Sequence, residues 1–172
     1  MPPRTYISRA MAAVAGAQLD RRVSFPITDS DIRRWAIAAC YPAEPPRVFW
    51  DSAYAAKTLY LGIVAPEDFN PFAWMTAEPG GLPDSRDRDP NMMEKILGVA
   101  PPTTRFSLNG GLSAYYGVRM RPGDVITSVR TLVGYRERAG RLGLMLLTEL
   151  EIMWTNQNGD MVREARSTII RY

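Results

Sequence analysis

The 172-residue chain contains no histidine. That removes the side chain best suited to exchange protons near neutral pH, and the commonest ligand for zinc or non-haem iron. A Cys–His nucleophile within the chain is therefore excluded, and no transition-metal site is expected. Cysteine is nearly missing as well. The single Cys40 cannot build an intramolecular disulfide and fits a reducing compartment. Flanked by Ala38, Ala39 and Tyr41, it reads as a small buried residue. No apolar run reaches the roughly 18 residues that a membrane span requires. Basic residues give a net charge of +3 but are scattered. Arg21-Arg22 and Arg33-Arg34 read as solvated faces, not as the basic stripe of a nucleic-acid binder. No tight carboxylate cluster or calcium loop is present either.

What is present suits one globular domain spanning residues 1–172. The hydrophobic share of 46% is ordinary for a protein that buries a core. Residues 5–18 predict a short, Ala-rich helix within an N-terminal helical extension (1–20). This segment is expected to belong to a mature, cytoplasmic protein, because its apolar stretch is too short and alanine-dominated for a targeting peptide. Val23 to Ile27 reads as extended, since Pro26 biases its predecessor away from helix. Thr28 then N-caps a helix with Asp29 and Asp31 in its first turn, and Ile32, Trp35, Ala36 and Ala39 form its apolar face. A second helical stretch is expected from Asp51 to Tyr60. Asn70-Pro71 reads as an N-cap with proline at the first helical position. Residues 78–103, rich in proline, glycine and charge, form a long loop excursion with one helical turn near Met92 to Leu97.

The last seventy residues are β. Arg105 to Tyr116 forms one strand. Pro122-Gly123-Asp124 is a turn, followed by alternation at Val125, Thr127, Val129, Thr131 and Val133. Leu144, Leu146, Leu150, Ile152 and Trp154 alternate along a third strand, with Glu149 and Glu151 on its other face. Asn158-Gly159 marks a hairpin leading into a final strand through Ile169 and Ile170. Helices followed by an antiparallel meander define an α+β class.

Two groups of residues carry a family resemblance. The first runs Phe25-Pro26-Ile27-Thr28-Asp29 through Trp35-Ala36 and on to Phe49-Trp50-Asp51-Ser52-Ala53-Tyr54-Ala55. The second combines Leu108-Asn109-Gly110-Gly111, Arg121-Pro122-Gly123-Asp124-Val125, Asn156 to Asp160 and Arg166 to Ile170. In this order they resemble the N-terminal-type dehydratase domain of the MaoC-like hot-dog superfamily, from about residue 20 to the end. The resemblance implies a hot-dog fold, a curved antiparallel sheet wrapped around a helix, whose sheets join in pairs. It also implies chemistry on enoyl thioesters of CoA or acyl carrier protein, with no cofactor. Active members hold water with an aspartate and a histidine in a D-x-N-P-x-H segment, while backbone N–H groups polarise the thioester carbonyl. Here Glu44 falls at the aspartate position and Phe49 at the histidine position. The resemblance thus implies a non-catalytic, substrate-shaping hot dog, with no catalytic residue of its own. The chain ends after one hot dog, so a separately encoded MaoC-like subunit is expected to supply the Asp/His pair. A self-sufficient acyl-CoA thioesterase using a carboxylate is the alternative.

The candidate substrate-binding residues are Phe49, Trp50, Asn109, Gly110, Gly111 and Tyr115. Phe49 and Trp50 suit a channel wall or plain core packing. Glycines at 110 and 111 mark a bulge or a close backbone approach to a ligand or partner. Tyr115 and Tyr116 point to opposite faces, so at most one faces a ligand. Glu44 reads as a surface residue, Asp51 as an N-cap, and Met92-Met93 as a pliable lid or a docked loop. Arg86, Arg88, Arg119 and Arg121 are candidates for gripping CoA phosphates.

Overall fold

The computed structural model describes residues 5–73, 75, 89–141 and 143–172. Five strands form one antiparallel sheet: β1 (Gln18–Val23), β2 (Ser107–Tyr116), β3 (Thr127–Gly140), β4 (Gly143–Thr155) and β5 (Met161–Arg171). Their spatial order is β1-β3-β4-β5-β2. The hairpin between β4 and β5 turns at Gly159, whose φ of 85° suits glycine. Register fixes which residues share a face. Leu132 lies opposite Leu150 and Ser128 opposite Trp154, while Ile152 faces Ala165 and Trp154 faces Arg163. Buried Leu132, Leu146, Leu150, Trp154 and Ala165 therefore mark the inner face, and Arg130 and Arg163 share it. Glu149 and Glu151 lie outside, where they bond Arg136 and Arg166.

Among the described residues the α-helices are α1 (Arg9–Ala13), α2 (Asp29–Cys40), α3 (Ser52–Ala55) and α4 (Met92–Ile96), with a short 3-10 turn at Arg47–Phe49. α2 begins as expected: Asp31 N–H donates to Thr28 Oγ1, and Thr28 N–H donates to Asp31 Oδ2 at 3.0 Å, a reciprocal capping box. Its buried Ile32 joins Ile27, Phe69, Ile126, Trp154 and Val162 in a core at one end of the inner face. α4 covers the other end, where Met93 packs on Leu132 and Leu150. The sheet is thus wrapped around helical cover at both ends, the hot-dog arrangement expected.

Several local expectations change. The leading helix spans only Arg9–Ala13, since Gly16 turns the chain with a φ of 84° and its N–H donates to Leu132 O at 2.7 Å. Strand β1 starts at Gln18, not after Val23. It is largely charged, and pairing with β3 rather than an apolar pattern makes it a strand. α3 is much shorter than the expected 51–60 stretch. Asn70 caps only a turn, its Oδ1 accepting from Phe72 N–H at 3.0 Å. Cys40 is half-buried rather than buried, at the end of α2. Met93 is 4% exposed, so it is core and not lid.

Candidate functional site

Two hollows open on the inner sheet face beside Trp154. One, of about 330 Å³, is lined by Trp35, Glu67, Asn70, Tyr116, Trp154 and Arg163, among others. The other, of about 250 Å³, is lined by Asp20, Arg22, Phe72, Ser128, Arg130 and Ile152, and it shares Asn70 and Trp154 with the first. Phe72 stands edge-on to Trp154 at 5.4 Å, and the Arg163 guanidinium lies 4.8 Å from the Trp154 ring. Three buried donors here have no hydrogen-bond partner among the described residues: Trp35 Nε1, Arg130 Nε and Arg163 Nε. Such donors are costly to leave unmatched, so their gathering at one place singles it out. Burial, aided by nearby Arg22 and opposed by Asp20, pulls the Arg130 pKa below the ordinary arginine value.

The residues expected from sequence fall in two places. Phe49 is partly buried and packs on the core at the Trp154 end. Trp50 donates from Nε1 to Pro45 O at 2.9 Å and lines a separate hollow with Arg33, Ile37, Glu44 and Pro45. Glu44 is exposed. Asp51 caps α3, accepting from Tyr54 N–H at 2.9 Å, and pairs with Arg47 at 2.6 Å. Its carboxylate is held below the usual range by the Tyr54 N–H first and Arg47 second.

Asn109, Gly110, Gly111 and Tyr115 lie instead on β2, the exposed edge strand. Asn109 pairs with Ile169, which pairs with Thr148. Thr148 is six residues along β4 from Trp154, about 20 Å at strand rise, so Asn109, Gly110 and Gly111 lie far from Phe49, whereas Tyr115 stands level with Met153, beside Trp154 but on the outer face. The bulge falls between Asn109 and Gly111, with Asn109 Oδ1 accepting from Gly111 N–H at 2.9 Å. A Cβ on Gly110 would sit 2.7 Å from Ile170 Cγ1, so close packing inside the sheet explains that glycine. Tyr115 is 66% exposed and pairs with outer-face Glu164. Tyr116, opposite Arg163, is the tyrosine that lines the hollow. Arg119 is engaged by Glu67 at 2.9 Å and by Ala65 O, and Arg121 is exposed. Arg86 and Arg88 lie outside the described residues.

Sequence reasoning missed Arg130, Arg163 and Trp35. The alternation of Val129, Thr131 and Val133 does not say which face is inner, and register puts the intervening Ser128 and Arg130 inward. Only the strand pairing reveals that. Among the described residues no cluster of side chains could hold a metal ion. The inner face offers donors, cations and aromatic surface for binding, with the carboxylates of Asp20, Glu67 and Asp68 at the rims of the hollows.

Residues 13–165 match the family described as the FAS1-like dehydratase domain region. No curated protein matches. Among solved structures, a chain of the ChsH1-ChsH2 complex from Mycobacterium tuberculosis is 19% identical, with a TM-score of 0.69 and 95% of this chain and 89% of that one covered. The HadBC (3R-hydroxyacyl-ACP dehydratase) complex from the same organism gives 16% identity and a TM-score of 0.55 over 91% and 96%. The R-hydratase PhaJ1 from Pseudomonas aeruginosa gives 15% and 0.54 over 91% and 81%. At these identities the likeness concerns the hot-dog fold.

Proposed function

The chain belongs to the FAS1-like dehydratase-domain-region family, and we propose that it is the non-catalytic, substrate-shaping subunit of an (R)-specific enoyl-thioester hydratase or 3-hydroxyacyl dehydratase. A MaoC-like hot dog supplies the aspartate and histidine that activate water, and the substrate is an acyl thioester of CoA or acyl carrier protein. The observation that carries this reading is the lack of any histidine in the chain. At the place where the resemblance expects one stands Phe49, partly buried against the core. A phenyl ring neither accepts nor gives a proton.

The partner has a place to dock. Edge strand β2 is exposed along its ten residues, with Leu108, Leu112 and Tyr115 each more than half exposed. A long apolar edge invites another strand, and two of the similar structures are heteromeric complexes. No helix among the described residues is long and apolar enough to cross a membrane, and the proposed setting is cytoplasmic. No cofactor is required.

The test is an absorbance assay of enoyl-CoA hydration, with the purified chain alone and then mixed with a MaoC-like subunit bearing the Asp/His pair. The chain alone is expected to be inert and the mixture active. Hydration, or release of free CoA, by the lone chain would overturn the proposal.

A further inference from the structure

On the inner sheet face Arg130 lies opposite Asp20 in the ladder, whose attraction it feels, but among the described residues it forms no salt bridge with it. Its neighbour in the 250 Å³ hollow, Arg22, is bridged to Asp20 at 2.7 Å, so that pair cancels and Arg130 leaves the hollow with one net positive charge. Among the described residues Arg130 makes no salt bridge, and its buried Nε has no acceptor. The companion hollow differs. Arg163 there shares space with Glu67 and Asp68, although Glu67 is taken by Arg119, and the Arg163 guanidinium is stacked on Trp154.

A guanidinium held partly out of water without a bonded counter-charge is unfavourable in the empty protein. An oxyanion would reverse that, since two parallel N–H donors match carboxylate and phosphate geometry. Ser128 and Asn70 line the same hollow and carry further donors. Phe72, Ile152 and Trp154 provide apolar wall beside it. We propose that the Arg130 hollow is an oxyanion-binding site on the inner sheet face, taking a phosphate or carboxylate carried by a partly apolar ligand. Given the acyl-thioester reading, on which this choice of ligand rests, the oxyanion has two sources: a phosphate of the CoA carrier, or a carboxylate on the acyl group.

The experiment titrates the full chain with inorganic phosphate, CoA and octanoate separately, by calorimetry with tryptophan fluorescence as a second readout. Arg130→Gln and Arg130→Lys are measured beside the native protein, each checked for folding by thermal unfolding. Binding of CoA and phosphate weakened about tenfold or more by Arg130→Gln assigns the phosphate source. Octanoate binding with the same loss assigns the carboxylate source. Arg130→Lys keeps the charge but not the fork, so it is expected to bind more weakly than native, and it carries the test should the glutamine variant not fold. If no probe binds, or if the folded variants bind as tightly as native, the site is refuted. These titrations need no partner subunit, so their result stands apart from whether hydration appears on mixing.

Discussion

The two ends of the inner sheet face treat an inward arginine in opposite ways, one fully buried and the other half-buried. At the α4 end, Arg171 and Glu94 are both 0% exposed and closely bonded. Arg171 Nη2 donates to Glu94 Oε1 at 2.7 Å and to Thr148 Oγ1 at 2.8 Å, and Nη1 donates to Glu94 Oε2, Asn91 Oδ1 and Pro90 O. Tyr135 completes the set, donating to Glu94 Oε1 at 2.8 Å. Only the Nε of Arg171 lacks a partner. At the Trp154 end, Arg130 faces a hollow whose carboxylate, Asp20, is bridged to Arg22 instead, and no carboxylate among the described residues bonds it. The first arrangement ties a short helix of five residues to the sheet, which such a helix cannot achieve by its own hydrogen bonds. The second leaves donors unmatched where a ligand fits. An inward-facing arginine thus has two meanings on one surface, and the partners separate them.

The contrast can be broken most forcefully at Arg171. Replacing it with Met strands the Glu94 carboxylate, and the expected cost is about 3–5 kcal/mol in denaturant unfolding. Pairing it with Glu94→Leu should recover much of that loss, because two apolar side chains strand no charge. A cost near zero for the single change would mean the network is not a clamp.

Acid should reveal the same clamp. Burial alone would raise the Glu94 pKa, but the bonds from Arg171 and Tyr135 outweigh it and hold the carboxyl below its ordinary value of 4.5. A carboxyl depressed in the folded state lends stability above its unfolded pKa and loses it as pH falls through the folded value. Stability is therefore expected to decline below about pH 4.5, and Glu94→Gln should flatten that part of the profile. Equal acid sensitivity in both proteins would contradict the assignment.

Smaller effects sharpen the picture at the other end. Thr28→Ala removes half of the α2 capping box and should cost about 1 kcal/mol, measured by the shift in denaturant midpoint. Arg130→Met should change stability by less than about 0.5 kcal/mol, since no bonded partner is left behind. A loss comparable with that of Arg171→Met would show that the two ends are alike after all.

These differences also explain what was legible in the sequence. The capped helix at Thr28, the three long C-terminal strands and the Asn158-Gly159 hairpin announce themselves through local chemistry: caps, alternation and turn residues. β1 does not, because a charged edge segment becomes a strand only through its neighbour. The clamp and the hollow are equally hidden. Glu94 falls in the charged 78–103 excursion, and only the fold brings Arg171 to it from 77 positions away; Arg130 falls within an alternating strand whose inner face only the register fixes. The absence of histidine, by contrast, is visible in composition alone.

That last point admits a direct measurement. In the complex with a MaoC-like partner, the initial rate of enoyl-CoA hydration should be unaffected by Glu44→Gln, which neutralises the carboxylate at the position matching the active family's aspartate. A fall of about a hundredfold or more, the scale of losing a general acid or base, would contradict the claim that this chain leaves the proton chemistry to its partner.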